Sequence, residues 1–296
     1  MLRLGLGGLA ALVTGGAALM AAMIHRPIPR SEESLPVIGL GTWQTFDVGD
    51  DPRARAPLED VVSEFARLSG RVIDSSPMYG TSESVTGDLI KKLQLSDQLF
   101  LATKIWTRGR DAGIRQMEES FKRLRVQRLD LMQVHNLVDW RTHLATLRRW
   151  KEQGRVRYIG VTHYTAGAYE DLARVLESEE LDFVQINYSV AEREAERRIL
   201  PLATERKLAV LINRPFAAGG LFKRVRNQKL PPWAKDIGCT TWAQFLLKFV
   251  VSHPAVTCAI PATSKVEHLI DNMNAGVGIL PDSLTRERMA KHVTDI

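Results

Sequence analysis

The chain has 296 residues, 45% hydrophobic and 25% charged, with a formal charge of +6 and a pI of about 9.4. This is an ordinary soluble composition, long enough for one α/β barrel to use all of it, and about 75% of the unfolded surface of such a chain can be buried. The basic balance does not point to nucleic acid, because the arginines of residues 193–198 alternate with glutamates, as on a solvated helix face. The two cysteines, Cys239 and Cys258, form neither a metal spacing nor a CxxC pair.

Residues 4–24 are 21 positions without a formal charge, preceded by Arg3 and followed by His25, Arg26 and Arg30. A helix of that length can cross a hydrocarbon core of about 30 Å. Five glycines dilute its hydrophobicity, which reads as an export signal or a marginal signal-anchor. Residues 1–26 are therefore expected to be a signal or membrane-anchor segment, and 27–296 the folded body. The expected location is the cell envelope or periplasm, with membrane association through residues 4–24. If the segment is instead a buried core helix, the protein is cytoplasmic. Gly5, Gly7 and Ala10 match a G-x-G-x-x-A pattern, but no strand precedes them, so this is no dinucleotide fingerprint.

After Pro36, short apolar runs alternate with amphipathic stretches. Strands are predicted at 37–40, 71–74, 99–103, 129–134, 156–161, 182–186, 208–212 and 255–260. Helices are predicted at 58–69, 82–93, 111–124, 140–153, 165–177, 194–205, 240–251 and 264–275. Strands rich in β-branched residues, alternating with helices, predict a parallel sheet buried on both faces. Eight such units close a (β/α)8 barrel, a single α/β domain of TIM-barrel type, with a doubly wound open sheet as the alternative. Outside the repeat, residues 28–36 read as a polar turn between extended pieces, a hairpin that could plug the barrel bottom. Residues 213–238 form a connection too long for an ordinary linker, without helical pattern. Residues 283–294 read as a final helix.

In a barrel, side chains just past the carboxyl ends of strands meet over one rim. Those positions hold Gly41, Thr42 and Trp43 after the first strand and Asp74 at the end of the second. Tyr79 follows in the next loop, Lys104 ends the third strand and His135 the fourth. Carbonyl reduction needs a proton donor at oxygen as hydride reaches carbon. Tyrosine, with an ordinary pKa of about 10, is a sluggish acid, and an ammonium nearby is expected to lower that value. Lys104 fits that task, Asp74 would hold it charged, and His135 could orient the substrate oxygen.

The runs VIDSSPMYG (72–80), LATKIW (101–106), LDLMQVHN (129–136) and YIGVTHY (158–164) resemble the aldo-keto reductase superfamily, as do GLGTW (39–43) and IPATSKVEHLIDN (260–272). The resemblance implies an NADP(H)-dependent oxidoreductase with a catalytic tetrad of Asp74, Tyr79, Lys104 and His135, Tyr79 being the general acid. It places Thr162, His163 and Gln185 at the nicotinamide carboxamide. Asn213, beside Arg214, stands where many members carry an aromatic that stacks on the ring. Thr263, Ser264 and Lys265 are left to bind a 2′-phosphate at a helix N-terminus, with His268 in place of the family's arginine and Asn272 at the adenine. NADPH is the expected cofactor, with NADH also usable. Trp43, Met78, Trp106 and Trp233 suggest an apolar or aromatic carbonyl substrate, and the protein is expected to be a monomer without a metal. Two rivals remain: a Schiff-base lyase using Lys104, and an NADP(H)-sensing barrel that serves a membrane partner as a regulatory binding module.

Overall fold

The chain enters its fold through a hairpin. The computed structural model describes residues 22–296, so the apolar run lies outside the described residues as far as position 21. Among the described residues no helix is long and apolar enough to cross a membrane. Residues 22–26, grouped with that run on sequence, include part of the folded body. Met23 bridges Val277, the Ile24 N–H donates to the Gly276 carbonyl at 2.8 Å, and β1 (His25–Pro27) pairs antiparallel with β2 (Ser34–Pro36). Ile28 and Leu35 of this hairpin are buried with Val72, Phe100, Leu131 and Phe183, the first inward residues of the barrel strands. The hairpin is thus the bottom plug that the 28–36 pattern suggested.

Eight parallel strands follow, alternating with helices. They are β3 (Leu40–Gly41), α1 (Pro52–Arg67), β4 (Val72–Asp74), α2 (Ser82–Lys92), β5 (Phe100–Ile105), α3 (Arg110–Leu124), β6 (Leu129–His135) and α4 (Trp140–Glu152). The second half comprises β7 (Val156–Thr162), α5 (Tyr169–Ser178), β8 (Phe183–Asn187), α6 (Ile199–Glu205), β9 (Ala209–Asn213), α7 (Gly220–Val225), α8 (Trp242–Val251), β10 (Cys258–Ala259), α9 (Val266–Asn274) and α10 (Ser283–Asp295). Each strand bonds its sequence neighbour from β3 to β10. The two ends then meet, since the Gly39 N–H donates to the Ala259 carbonyl at 2.8 Å and the Ala259 N–H to the Val37 carbonyl at 2.9 Å. That seam makes a closed barrel rather than an open sheet. It also explains the glycines of GLGTW, because a Cβ at Gly41 would sit 2.7 Å from the Ile260 carbonyl oxygen.

Several element boundaries differ from the predicted ones for identifiable reasons. Helix α1 starts six residues before the predicted position, with Pro52 in its first turn and the Asp51 side chain capping the Arg53 N–H. The predicted helix over 194–205 is split into a 3-10 turn, Glu194–Arg197, and α6. Glu194, Arg197 and Arg198 are exposed, as a solvated face requires, but Arg193 pairs with Glu196 at 2.7 Å and with Glu287 of α10 at 2.6 Å. The long connection after β9 is not devoid of helix, since it contains α7 and two 3-10 turns. Trp233 packs on the core beside Phe245, with the Arg288 guanidinium 4.2 Å from its ring centroid.

Strand period two decides what fills the barrel. Inward positions run Phe100, Ala102, Lys104 on β5, and Leu131, Gln133, His135 on β6; on β8 they run Phe183, Gln185, Asn187. Each series is apolar at the amino end and polar at the carboxyl end. The intervening residues, such as Leu101, Met132 and Val184, belong to the larger cluster under the helices. The polar inner layer is therefore confined to one end of the barrel.

Candidate active site

Four inward or rim residues meet at that end. Lys104 is fully buried, and its Nζ donates to Asp74 Oδ2 at 2.5 Å and to the Ser75 carbonyl at 2.7 Å. Asp74 Oδ1 accepts from Gln185 Nε2 at 2.8 Å and from Gln133 Nε2 at 3.4 Å. A buried carboxylate and ammonium are tolerated only when paired and hydrogen-bonded, and here both are. Burial pulls the Lys104 pKa down, but the Asp74 charge and hydrogen bond, aided by the Tyr79 hydroxyl, lift it above the ordinary lysine value. A Schiff-base lysine needs the opposite shift, which argues against the lyase reading.

Lys104 Nζ lies 5.1 Å from the centroid of the Tyr79 ring. Burial raises the Tyr79 pKa above the ordinary value of about 10, outweighing the lowering pull of Lys104. The net shift is opposite to the sequence expectation, because the site is drier than a lysine alone can offset. Tyr79 is thus a protonated phenol at neutral pH. The His135 ring stands edge-on to Tyr79, with centroids 6.1 Å apart. Its pKa is pushed down to about 3, first by burial and then by the Lys104 and His163 charges, so it is a neutral imidazole. The four residues can hold a proton, donate it, and stabilise the negative oxygen left behind.

The flanking residues divide into two groups. Trp43, Met78 and Trp106 leave the carboxyl ends of the adjacent strands β3, β4 and β5, with exposures of 46%, 41% and 42%. They form an open apolar rim. On the other side, Thr162 Oγ1 donates to Gln185 Oε1 at 3.3 Å. The amide of Gln185 is therefore engaged by Asp74 and Thr162. His163 is half-buried, stacked on Tyr164 at 5.6 Å, and its carbonyl accepts from Asn213 Nδ2 at 3.3 Å. Arg214 donates to the Tyr164 carbonyl at 3.2 Å and reaches Glu192 at 3.4 Å. Thr263, Ser264 and Lys265 stand before α9, where no side chain caps the helix and Thr263 Oγ1 accepts from the Lys265 N–H at 3.2 Å. His268 is exposed in the first turn, and Asn272 is buried further along α9.

Backbone strain is concentrated on the same rim. Among the described residues, Ser69, Gln94, Arg125 and Lys207 have positive φ where they end helices, an ordinary way to stop one. The other seven such non-glycine residues are Gln44, Asn136, Leu137, Asp139, Arg214, Ala217 and Ala218. All seven lie in loops leaving the carboxyl ends of β3, β6 and β9, and strained backbone of this kind collects at functional sites. Sequence reasoning missed Ser76, Gln133 and Asn136. Gln133 was legible, because it lies two residues before His135 and so shares its inward face. Ser76 had no pattern to mark it.

The model of the aldo/keto reductase family matches residues 37–287. Methylglyoxal reductase YeaE of Escherichia coli (strain K12) is 28% identical, over 81% of this chain and 84% of that protein. An NADH-specific methylglyoxal reductase of the same organism is 27% identical, over 71% of this chain and 72% of its own. A crystal structure of an aldo-keto reductase from Klebsiella pneumoniae in complex with NADPH superposes with a TM-score of 0.77 at 25% identity, covering 93% of this chain and 96% of that one.

Proposed function

The chain belongs to the aldo/keto reductase family, and from that premise we propose that it reduces aldehydes or ketones to alcohols with NADPH, Tyr79 serving as general acid. The observation that carries this reading is the buried Lys104–Asp74 pair beneath a protonated Tyr79. When bound, the reduced nicotinamide supplies the hydride. The protein's part is the oxygen. Tyr79 holds a proton for it, Lys104 stabilises the phenolate as that proton leaves, and Asp74 fixes the lysine. Neutral His135 adds a hydrogen bond that orients the carbonyl.

The residues present fit a dinucleotide. Asn136 Oδ1, Asn213 Oδ1 and Arg214 Nε are buried polar atoms without a partner, all on this rim. The first-turn N–H groups of α9 have no side-chain cap, and such ends favour phosphate. Thr162, His163, Gln185, Asn213 and Arg214 would hold the nicotinamide half; Thr263, Ser264, Lys265, His268 and Asn272 would hold the adenosine half. Asn213 supplies an amide in place of a stacking ring.

The cofactor assignment predicts a selective loss. Lys265→Ala should weaken NADPH by roughly 10–150-fold, the value of a charge-assisted hydrogen bond, while NADH binding changes little. Titration of cofactor fluorescence measures both, and equal effects would place the 2′-phosphate elsewhere.

The open rim of Trp43, Met78 and Trp106 suits a small or flat apolar carbonyl. Similarity to two methylglyoxal reductases makes methylglyoxal a natural first substrate beside 4-nitrobenzaldehyde. NADPH consumption matched one-to-one by alcohol is the expected result. Tight NADPH binding with no turnover of either compound would favour the sensing-module reading instead.

A further inference from the structure

His135 is neutral, so it carries a single N–H, and which nitrogen carries it decides what the ring can do to a substrate oxygen. The answer lies at Nδ1. Ser76 Oγ sits 3.2 Å from His135 Nδ1, and Ser76 is completely buried. The Ser76 oxygen also faces the Met78 N–H at 3.4 Å, which supplies it with a donor. Among the described residues, the Ser76 hydroxyl has no acceptor other than His135 Nδ1. If Nδ1 carried the proton, its N–H and the Met78 N–H would both donate to the Ser76 oxygen, and the buried serine proton would have nowhere to go. An unsatisfied buried hydroxyl costs enough to select the other arrangement.

We infer that Ser76 is a positioning residue: its hydroxyl donates to His135 Nδ1, fixing the tautomer with the proton on Nε2, free to donate to the carbonyl oxygen. Nε2 makes no hydrogen bond to any described residue, and His135 keeps 6% of its surface open. The other groups around the ring leave this assignment intact. Lys104 can only donate, Tyr79 meets the ring edge-on, and no hydrogen bond joins His163 to His135 among the described residues. Ser76 touches neither hydride nor proton in the reaction and acts through His135.

The inference rests on the reductase reading for its kinetic consequence, but not for the tautomer itself. The test uses full-length protein labelled with 15N-histidine, with His135 assigned from the spectrum of His135→Phe. Long-range 1H–15N correlation distinguishes a protonated from an accepting ring nitrogen. In the wild type, Nε2 should be protonated and Nδ1 accepting. In Ser76→Ala the signals should move toward a mixture of tautomers, and kcat should fall by roughly 3–10-fold, one neutral hydrogen bond's worth, with NADPH affinity unchanged. Ser76→Thr keeps the hydroxyl and should restore the wild-type tautomer. Wild-type protein with the proton on Nδ1 overturns the inference. So does Ser76→Ala with an unchanged tautomer, whatever its rate, or with a shifted tautomer and an unchanged kcat. A wild type inactive toward every carbonyl would sink the reductase reading, whereas the tautomer measurement would still report on Ser76.

Discussion

Tyr79→Phe is expected to lower carbonyl reduction by about 10²–10⁴-fold, the usual value of a general acid, while NADPH affinity stays within a few-fold. The substitution removes one oxygen and keeps the ring that faces Lys104 and stands edge-on to His135. Packing is thereby preserved and only the proton source is lost. No other group in the site can replace it. Lys104 holds its proton more tightly than an ordinary lysine and is committed to Asp74 and the Ser75 carbonyl, and His135 gives up no proton as an acid when its pKa is near 3. Initial-rate kinetics with cofactor binding measured separately would reveal the split. Near wild-type turnover in the phenylalanine variant would remove Tyr79 from the chemistry.

Lys104→Met should be the most damaging single change to both stability and rate. It leaves the Asp74 carboxylate, only 3% exposed, with two glutamine amides and no cation. Removing one member of a buried ion pair costs about 3–5 kcal/mol, a fall in melting temperature on the order of 10 °C for a chain of this size. Turnover should fall by about 10²–10³-fold, because the phenolate loses its stabilising charge. Adding Asp74→Asn removes the orphaned carboxylate, so the double variant should recover most of the stability and none of the activity. Calorimetry of the two proteins checks this. A double variant no more stable than Lys104→Met alone would mean that the loss came from packing rather than from charge.

The convergence of these side chains was legible because barrel geometry turns a one-dimensional rule into a three-dimensional one. Residues at the carboxyl ends of successive strands must converge, and Asp74, Lys104 and His135 occupy such ends in β4, β5 and β6. Barrel closure was not legible from periodicity, since it depends on hydrogen bonds between Val37–Gly39 and Ala259, residues separated by nearly the whole domain. The direction of the Tyr79 pKa shift was also hidden. Residue types showed which charges are near, whereas the extent of drying, which wins here, is a property of the packed site. Short-range signals were lost where tertiary contacts overrode them. Arg193, read as part of a solvated helix face, instead bridges Glu196 to Glu287 on a helix at the far end of the chain. At Gln185 the structure adds a contact that the sequence did not show, its amide donating to Asp74.

The most direct measurement is reduction of 4-nitrobenzaldehyde with NADPH doubly deuterated at C4 of the nicotinamide. Hydride transfer to the carbonyl carbon, with the proton supplied at oxygen by Tyr79, requires one deuterium on the carbinol carbon of every alcohol formed. The Tyr79→Phe enzyme should give the same labelled product at a rate lower by about 10²–10⁴-fold. Alcohol without deuterium at that carbon, or cofactor bound and never consumed, would contradict the assignment of this barrel as a carbonyl reductase.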